Sequence, residues 1–469
     1  MSETTSKAKE LKNALFYKNE NAFVKMGAQE TEAAYDFCEE YKSFLNEAKT
    51  EREAVIKTVE LAKANGFSEF RPGTFYTEGD KIWYNNRDKS VILAVIGKRE
   101  LSDGVRICAA HIDSPRLDLK QNPLVEESDL AMLKTRYYGG IKKYQWTAIP
   151  LSLHGVVIKK NGEKVTVKIG EDESDPVFVV TDLLPHLSQE QMKSTMSDGV
   201  KGEKLNILVG SRPFDESDEA NNIKLNIMNI LHEKYGIVEA DFQTAELEAV
   251  PAFGARDVGL DRSMIGSYGH DDRVCAYPAL MAILDTEKPE YTCITVLTDK
   301  EETGSLGNTG LDSSYLKYFI ADLAAPAGID PWTVLSASKC LSADVNSAFD
   351  PNYADAFDKN NASYVNRGVA ISKYTGSRGK SGASDASAEY LAEIRKILDD
   401  AKVCWQTGEL GKVDAGGGGT IAYILANLGM EVIDFGVAVL NMHAPWEATS
   451  KADVYETYRG YRAFAEEAS

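Results

Sequence analysis

A histidine and an aspartate stand two residues apart, directly after an apolar run. His111 and Asp113 follow VRICAA at residues 105–110, a run typical of a strand that is buried on both faces. A histidine at the carboxyl end of such a strand points into the crevice where α/β sheets bind ligands. Asp113 lies on the same side of an extended chain, where it can fix the tautomer of a metal-binding histidine. A purely structural histidine is the alternative.

Two pairs of adjacent carboxylates are further candidates. Asp271 and Asp272 follow GSYG and precede an apolar helix, while Glu301 and Glu302 come soon after the apolar run YTCITVL. Adjacent carboxylates repel one another, so a buried pair needs a cation or a catalytic role. Because consecutive side chains point in different directions, one glutamate could bind a metal while its neighbour faces the water there. A helix cap and a solvated turn are the structural alternatives.

Asp344 and His443 follow two more apolar runs and complete a set of oxygen and nitrogen donors. Such donors suit Zn²⁺, Mn²⁺ or Co²⁺, whereas a thiolate site would need paired cysteines. Ligands at the ends of five strands or turns of one domain would converge. That geometry suits two metal ions about 3.5 Å apart, bridged by one carboxylate, as in two-metal hydrolases.

An alternation of strands and helices must position these side chains. Residues 27–64 show helical spacing, the apolar run at 90–97 predicts a buried strand, and residues 384–401 predict a helix that Ser384 and Asp385 cap. Strand-like and helical runs also alternate after about residue 251. This pattern is typical of an α/β layer architecture.

A β-rich stretch interrupts that pattern. Residues 150–182 predict strand, Asn-Gly hairpin, strand, turn and strand, and residues 187–222 are polar and predict loops. The simplest organisation is an α/β domain formed by residues 1–115 and 257–469, with an inserted domain at residues 116–256.

Composition excludes several function classes. The chain of 469 residues has 52 basic and 72 acidic side chains and a net charge of −20, which disfavours nucleic acid and anionic membranes as partners. No apolar run approaches the roughly 20 residues that span a bilayer, and the polar N-terminus lacks a signal core. The six cysteines form no CxxC pair, as expected of buried thiols in a reducing compartment. We therefore expect a soluble, cytoplasmic protein.

Five segments occur in a fixed order along the chain: AAHIDSPRLDLK, GHDDRVCAYPAL, TDKEETGS, SADVNSAFDPNY and VLNMHAPWE. Together they resemble the signatures of the M18 metallopeptidases, the aspartyl aminopeptidase family. RYYGGI, PLSLHGVVI and the triplet Pro185-His186-Leu187 resemble the insertion domain of that family. The resemblance extends from about residue 70 to the C-terminus. It implies a zinc-peptidase-like mixed sheet flanked by helices, with an inserted β-rich dimerisation domain, and a homododecamer built from dimers.

The resemblance also implies roles for individual residues. Two zinc ions per subunit would be held by five residues: His111 and Asp344 for one ion, Glu302 and His443 for the other, and Asp271 as the bridge. Glu301 would be the general base, which takes a proton from the attacking water and passes it to the leaving amine. Asp113 would orient His111. His186 would reach the active site of a neighbouring subunit.

Two glycine-rich stretches are expected to line the first substrate pocket. Gly417 and Gly418 lie in GGGGT at 416–420, and Lys380 lies in KYTGSRGKSGASDASAEY. Lys380 could bind an acidic substrate side chain or be a solvated loop lysine.

The expected activity is that of a metalloprotease of the aminopeptidase type, a hydrolase of class EC 3.4.11. It would remove single N-terminal residues, acidic or neutral, from peptides with the aid of Zn²⁺, Co²⁺ or Mn²⁺. The sequence Asp271-Asp272-Arg273 resembles the related M42 aminopeptidases, so an M42-like aminopeptidase or a cocatalytic-zinc deacylase is one alternative. A non-catalytic, shell-forming assembly protein is the other.

Overall fold

The computed structural model describes residues 7–18, 20–217, 219–379, 381–414 and 416–467. The α-helices in these ranges are α1 (Lys7–Leu15), α2 (Ala22–Glu47), α3 (Glu51–Ala64), α4 (Gln189–Lys193), α5 (Met196–Gly199), α6 (Asn222–Tyr235), α7 (His270–Leu284), α8 (Tyr315–Ala324), α9 (Pro331–Ala337), α10 (Ala388–Asp400), α11 (Ala422–Ala426) and α12 (Lys451–Ala465). Short 3₁₀ helices span Leu101–Asp103, Lys143–Trp146, Gly202–Lys204, Glu239–Thr244, Glu301–Thr303, Ala325–Ala327 and Pro351–Ala356. No helix in these ranges is both long and apolar enough to cross a bilayer.

The strands are β1 (Ser68–Glu69), β2 (Lys81–Asn86), β3 (Ser90–Val95), β4 (Arg106–His111), β5 (Arg116–Glu127), β6 (Leu130–Tyr138), β7 (Leu151–Ile158), β8 (Lys164–Ile169), β9 (Val179–Val180), β10 (Ile207–Gly210), β11 (Ala245–Pro251), β12 (Arg256–Val258), β13 (Met264–Ser267), β14 (Cys293–Thr298), β15 (Lys339–Ser342), β16 (Asn346–Ser347), β17 (Val369–Ser372), β18 (Tyr374–Ser377), β19 (Ser381–Asp385), β20 (Trp405–Thr407), β21 (Glu431–Gly436), β22 (Ala438–Leu440) and β23 (Glu447–Ser450).

A nine-stranded mixed sheet is the centre of the α/β part. Its strands lie in the order β1-β2-β3-β14-β4-β15-β21-β17-β20. Strand β4 runs parallel to β14 and to β15, and β15 runs parallel to β21, whereas β3 and β17 pair antiparallel with their inner neighbours. The carboxyl ends of the four parallel strands therefore meet at one edge of the sheet.

Helices cover both faces of this sheet, because successive side chains of a buried strand point to opposite sides. On β4, Cys108 and Ala110 pack in the core under α2, α3, α7, α10 and α12, while Ile107 and Ala109 pack under α8, α9 and α11. The predicted α/β mixed sheet flanked by helices is confirmed. The six cysteines are all buried and unbonded.

A second sheet is built entirely from the middle of the chain. Strands β5 to β11 form seven antiparallel strands in the order β8-β7-β11-β5-β6-β10-β9, from Arg116 to Pro251. A separate apolar core under this sheet contains Leu117, Leu133 and Leu247. Strand β12 begins at Arg256 and already belongs to a different, five-stranded sheet with β13 and β23. We refer to the β5–β11 sheet as the inserted sheet.

Three element boundaries differ from the sequence prediction. The helix predicted at 27–64 is two helices, because Thr50 caps α3: its side chain accepts from the Glu53 N–H, and the Glu53 carboxylate accepts from the Thr50 N–H. Helix α10 begins later than predicted, capped by Ser387, since residues 384–385 belong to β19. Residues 187–222 are not only loops. The short apolar run ILVG at 207–210 becomes β10 because β6 and β9 supply its hydrogen-bonding partners.

Candidate metal centre

The predicted ligands meet at the carboxyl edge of the parallel strands. His111 is the last residue of β4, Asp344 follows β15 by two residues, and Glu301 and Glu302 open the 3₁₀ helix after β14. Two further ligands come from the first turn of α7 and from the loop after β22, namely Asp271 and His443. Because β4, β14 and β15 are parallel neighbours, their ends bring residues that are far apart in the chain into one cluster.

Asp271 lies between the two histidines. Its Oδ1 is 3.1 Å from His111 Nε2, and its Oδ2 is 3.2 Å from His443 Nε2. Asp344 Oδ1 is 3.8 Å from the first of these nitrogens, and Glu302 Oε1 is 3.7 Å from the second. The donors form three overlapping triads, each within 4.8 Å. Two of them share Asp271, and we call these two the donor triads; the third joins His111 with Glu301 and Glu302. Asp272, joined to Asp271 by a cis peptide bond, instead accepts from the His111 backbone N–H at 3.3 Å.

Two of these donor atoms lack hydrogen-bonding partners among the described residues, and the carboxylates repel one another, as expected of groups that bind metal ions. His111 Nε2 and Glu302 Oε1 are buried and make no hydrogen bond. Burial raises the pKa of Glu301 to about 7 and raises the pKa values of Glu302 and Asp344 well above the usual range, and the neighbouring carboxylates add to the effect. Buried carboxylates that repel each other are stabilised by cations, and carboxylate with imidazole is a donor set that zinc prefers.

Asp113 connects two of the ligand segments. His111 Nδ1 lies 3.1 Å from the backbone carbonyl of Asp113 and 3.3 Å from its carboxylate. The carboxylate also accepts from the backbone N–H groups of Glu301 and Glu302 at 3.1 and 3.2 Å. Burial would raise the pKa of Asp113, but His111 and Tyr138 outweigh it and lower the pKa. Asp113 is therefore an anion that orients His111 and also anchors the turn that carries the two glutamates.

Glu447 plays a corresponding part on the other side of the cluster. Its buried carboxylate accepts from the His443 N–H at 2.8 Å and from the Asp271 N–H at 3.0 Å. The His443 ring is fixed separately, because its Nδ1–H donates to the carbonyl of Gly140 at 2.7 Å and Nε2 is left facing Asp271. Although burial lowers the pKa of His443, the carboxylates of Asp271 and Glu302 raise it to about 10.

The sequence prediction missed three residues of this arrangement. Glu447 ends the segment VLNMHAPWE, and Tyr138 and Gly140 lie in RYYGGI, so all three stand in segments that carry the family resemblance. Their presence in those segments was the available signal. Their partners could not be named, since Gly140 and His443 are 303 positions apart.

The remaining predicted residues lie around or outside a cavity of about 1030 Å³ that opens onto the cluster. Gly417 and Gly418 line it, together with Glu301. His186 is exposed in a turn of the inserted region and does not line this cavity of its own chain. Lys380 lies outside the described residues.

Comparisons with known proteins indicate the family of this chain. A family model described as "Aminopeptidase I zinc metalloprotease (M18)" matches residues 44–465. The "Probable M18 family aminopeptidase 1" of Clostridium acetobutylicum is 52% identical over 460 residues, covering 96% of this chain and 99% of the relative. The crystal structure of an M18 aminopeptidase from Thermotoga maritima superposes with a TM-score of 0.91 at 42% identity, covering 96% of this chain and 100% of the other. A structure of the S. cerevisiae mApe1 dodecamer shares the fold, with a TM-score of 0.73 at 20% identity over 93% of this chain and 97% of the other.

Metal binding to this cluster should release protons. Without metal, the raised pKa of His443 keeps a proton on this predicted ligand near pH 7, and ligands must lose their protons to bind. Glu301, with a pKa of about 7, is partly protonated there, and the positive charge of bound metal would favour its anion. We expect the apparent affinity for Zn²⁺ to rise by up to about tenfold per pH unit for each proton released between about pH 6 and pH 8. Isothermal titration calorimetry in buffers of different ionisation enthalpy counts these protons.

The control for this titration is Asp434→Asn. Burial also raises the pKa of Asp434, to about 6, but this residue lines the cavity outside both donor triads. The variant should release the same number of protons as the wild type. A zinc affinity that does not change with pH would contradict the assignment of the cluster.

Proposed function

Because this chain belongs to the M18 family of zinc aminopeptidases, we propose that it removes single N-terminal residues, acidic or neutral, from peptides by means of a two-metal site. The observation that carries the proposal is the position of Asp271. Its two oxygens face two different histidines at almost equal distances, 3.1 and 3.2 Å. A single ion would need only one of these faces, whereas a bridging carboxylate uses both.

The proposed ligand set divides along the two triads. His111 and Asp344 would hold one zinc ion, Glu302 and His443 would hold the other, and Asp271 would be shared between them. The same oxygen and nitrogen donors would accept Co²⁺ or Mn²⁺. When bound, the ions polarise the scissile carbonyl and make water a better nucleophile near neutral pH.

Glu301 is the proposed general base. It lines the cavity, and its Oε2 lies 3.9 Å from His111 Nε2, farther than Asp271 lies from the same atom. The pKa of about 7 matches proton transfer near neutral pH, and the positive charge of bound metal would favour the anion that accepts the proton. The carboxylate takes a proton from the attacking water and donates it to the leaving amine. Asp113 holds the Glu301 N–H, so the side chain starts from a fixed backbone.

Replacing Glu301 by glutamine should lower kcat by about 10²- to 10⁴-fold, because the amide cannot accept the proton. Zinc content should stay near two ions per subunit, since the variant keeps both donor triads. Glu409→Gln is the matched control, because Glu409 lines the same cavity but belongs to neither triad. Full peptidase activity in Glu301→Gln would rule out the general-base role.

The cavity walls support a substrate with an acidic or a neutral N-terminal residue. Lys142, Arg378 and Lys412 line the cavity, and within the described ranges none of them forms an ion pair. Apolar side chains such as Val345 and Leu410 share the walls. Unpaired cations can bind a substrate carboxylate, while the apolar groups can pack against a neutral side chain.

A panel of aminoacyl-p-nitroanilides tests this preference. We expect cleavage of the Asp, Glu, Leu and Met substrates, loss of all cleavage with a chelator, and recovery with Zn²⁺, Co²⁺ or Mn²⁺. The double variant Arg378→Ala/Lys412→Ala should lower kcat/KM for Glu relative to Leu by roughly tenfold, the effect of one charge-assisted hydrogen bond. Equal loss on both substrates would contradict recognition by charge, and no cleavage with any metal would contradict the proposed function.

We also propose that residues 116–256 are a dimerisation domain inserted into a catalytic domain of residues 1–115 and 257–469. Dimers would assemble further into a dodecamer in the cytoplasm, where peptides are the substrates. The surface around His186 supports this proposal, because Leu183, Leu184 and Leu187 are exposed by 54, 50 and 69%. An apolar surface of this kind is typical of a protein contact. His186 would then lie at the active site of a neighbouring subunit.

His186→Ala should therefore lower turnover without changing the mass of the particle, as measured by steady-state kinetics and by size-exclusion chromatography with light scattering. His232→Ala is the control, since His232 is also exposed but lies on α6. Unchanged kinetics in His186→Ala would count against a role across the subunit boundary.

A further inference from the structure

We propose that the segment Tyr138-Gly139-Gly140 positions the metal centre and makes its zinc affinity depend on the inserted sheet. We call these three residues the YGG segment. Tyr138 is the last residue of β6 and the two glycines follow it, so the segment is the direct continuation of an inserted strand. The inference rests on the metal centre proposed above, but it concerns how this chain holds the ligands.

The first contact is made by the tyrosine hydroxyl. Tyr138 O–H donates to Asp113 Oδ2 at 2.7 Å, the shortest of the hydrogen bonds to that carboxylate. Among the described residues, the Glu302 N–H is the one other donor to this oxygen. Since Asp113 orients His111 and anchors the turn of Glu301 and Glu302, the tyrosine acts on both sides of the cluster through one carboxylate.

The ring of Tyr138 is itself held in place. The guanidinium carbon of Arg116 lies 3.8 Å from the ring centroid. Arg116 is buried and pairs with Glu248 on β11 at 3.2 Å and with Glu51 on α3 at 3.5 Å. The cation over the ring is therefore tied to the inserted sheet and to the α/β part at once, so the hydroxyl is presented in one orientation.

The second contact is made by the backbone of Gly140. Its carbonyl accepts from His443 Nδ1–H, which selects the tautomer whose Nε2 can bind a metal. A Cβ on Gly140 would lie 3.3 Å from that ring nitrogen. The backbone therefore approaches the histidine more closely than a larger residue would comfortably allow.

The third contact is at Gly139, where the backbone conformation and the nearby side chains favour glycine. Gly139 has a φ of +77°, and a Cβ there would lie 3.0 Å from Glu302 Oε2 and 3.3 Å from Pro115 Cγ. The YGG segment thus lies against Glu302 and bonds to His443, two of the three ligands of one proposed ion. It reaches the other proposed ion through Asp113. We therefore expect changes in the YGG segment to lower the affinity for the ion at Glu302 and His443 more than the affinity for the other ion.

Tyr138→Phe removes the hydroxyl and keeps the ring on Arg116. We expect up to about a tenfold loss of zinc affinity, the lower end of the effect of losing a ligand's direct hydrogen-bonding partner, because Tyr138 acts through Asp113. A competition titration against a chromophoric zinc chelator measures this loss without reference to activity. Tyr137→Phe is the matched control, because Tyr137 is the adjacent tyrosine, is exposed by 47%, and makes no hydrogen bond to the metal centre within the described ranges. Turnover of Tyr138→Phe should recover at saturating Zn²⁺, with KM unchanged.

Gly139→Ala is the second variant, because it leaves the tyrosine and Arg116 untouched and presses on Glu302 instead. In the same titration, it should lower the affinity for one of the two zinc ions, the one proposed to bind Glu302 and His443. Wild-type affinity in both variants would overturn the inference while leaving the two-metal proposal intact. A wild-type protein that binds no zinc would instead overturn the proposed function itself, so the two failures are distinct.

Discussion

Repulsion among buried carboxylates is the constraint on which the rest of this structure depends. Four carboxylates cluster at one edge of the central sheet, and the nitrogen donors among them in the described residues are His111 and His443. The carboxylates are those of Asp271, Glu301, Glu302 and Asp344. Out of water, such a group of like charges is costly unless protons or cations offset it. The raised pKa values of Glu301 and Asp344 record that cost in the absence of metal. The fold must therefore hold these side chains together by contacts that do not depend on the ions.

Hydrogen bonds to the backbone of the ligand segments supply those contacts. Asp113 holds the turn of Glu301, and Glu447 holds the N–H groups of Asp271 and His443. Arg273 adds a buried cation on the same side: it donates to Ser114 Oγ, whose hydroxyl donates to the Asp271 carbonyl at 2.6 Å. The turn of Glu301 and Glu302 and the segments of Asp271 and His443 are thus fixed by residues outside the two donor triads. Preorganisation of this kind lets the donors converge before a metal binds.

The inserted sheet and the segments next to it contribute residues to the candidate metal centre and to the walls of the cavity. The YGG segment contacts Asp113, Glu302 and His443, and Lys142 and Met196 from the same part of the chain line the cavity. Although the chain as a whole carries a net charge of −20, Lys142 places a positive charge on this wall of the cavity. One part of the molecule therefore holds the proposed metal ligands in place and also lines the cavity beside them.

The sequence by itself determined the class of fold and the residue types of the site. Apolar runs followed by His111, Glu301 or Asp344 indicate strand ends, because a short continuous apolar run is typical of a buried strand. Strand β4, with six buried residues, is an example. The tertiary structure alone decided which groups meet. It showed that Asp271, and not Asp272, faces both histidines, that residues 207–210 form a strand, and that Tyr138 and Glu447 support the ligands. Local patterns cannot reveal such partners, because a hydrogen bond between residues hundreds of positions apart depends on how strands are ordered in the sheet and not on any neighbouring residue.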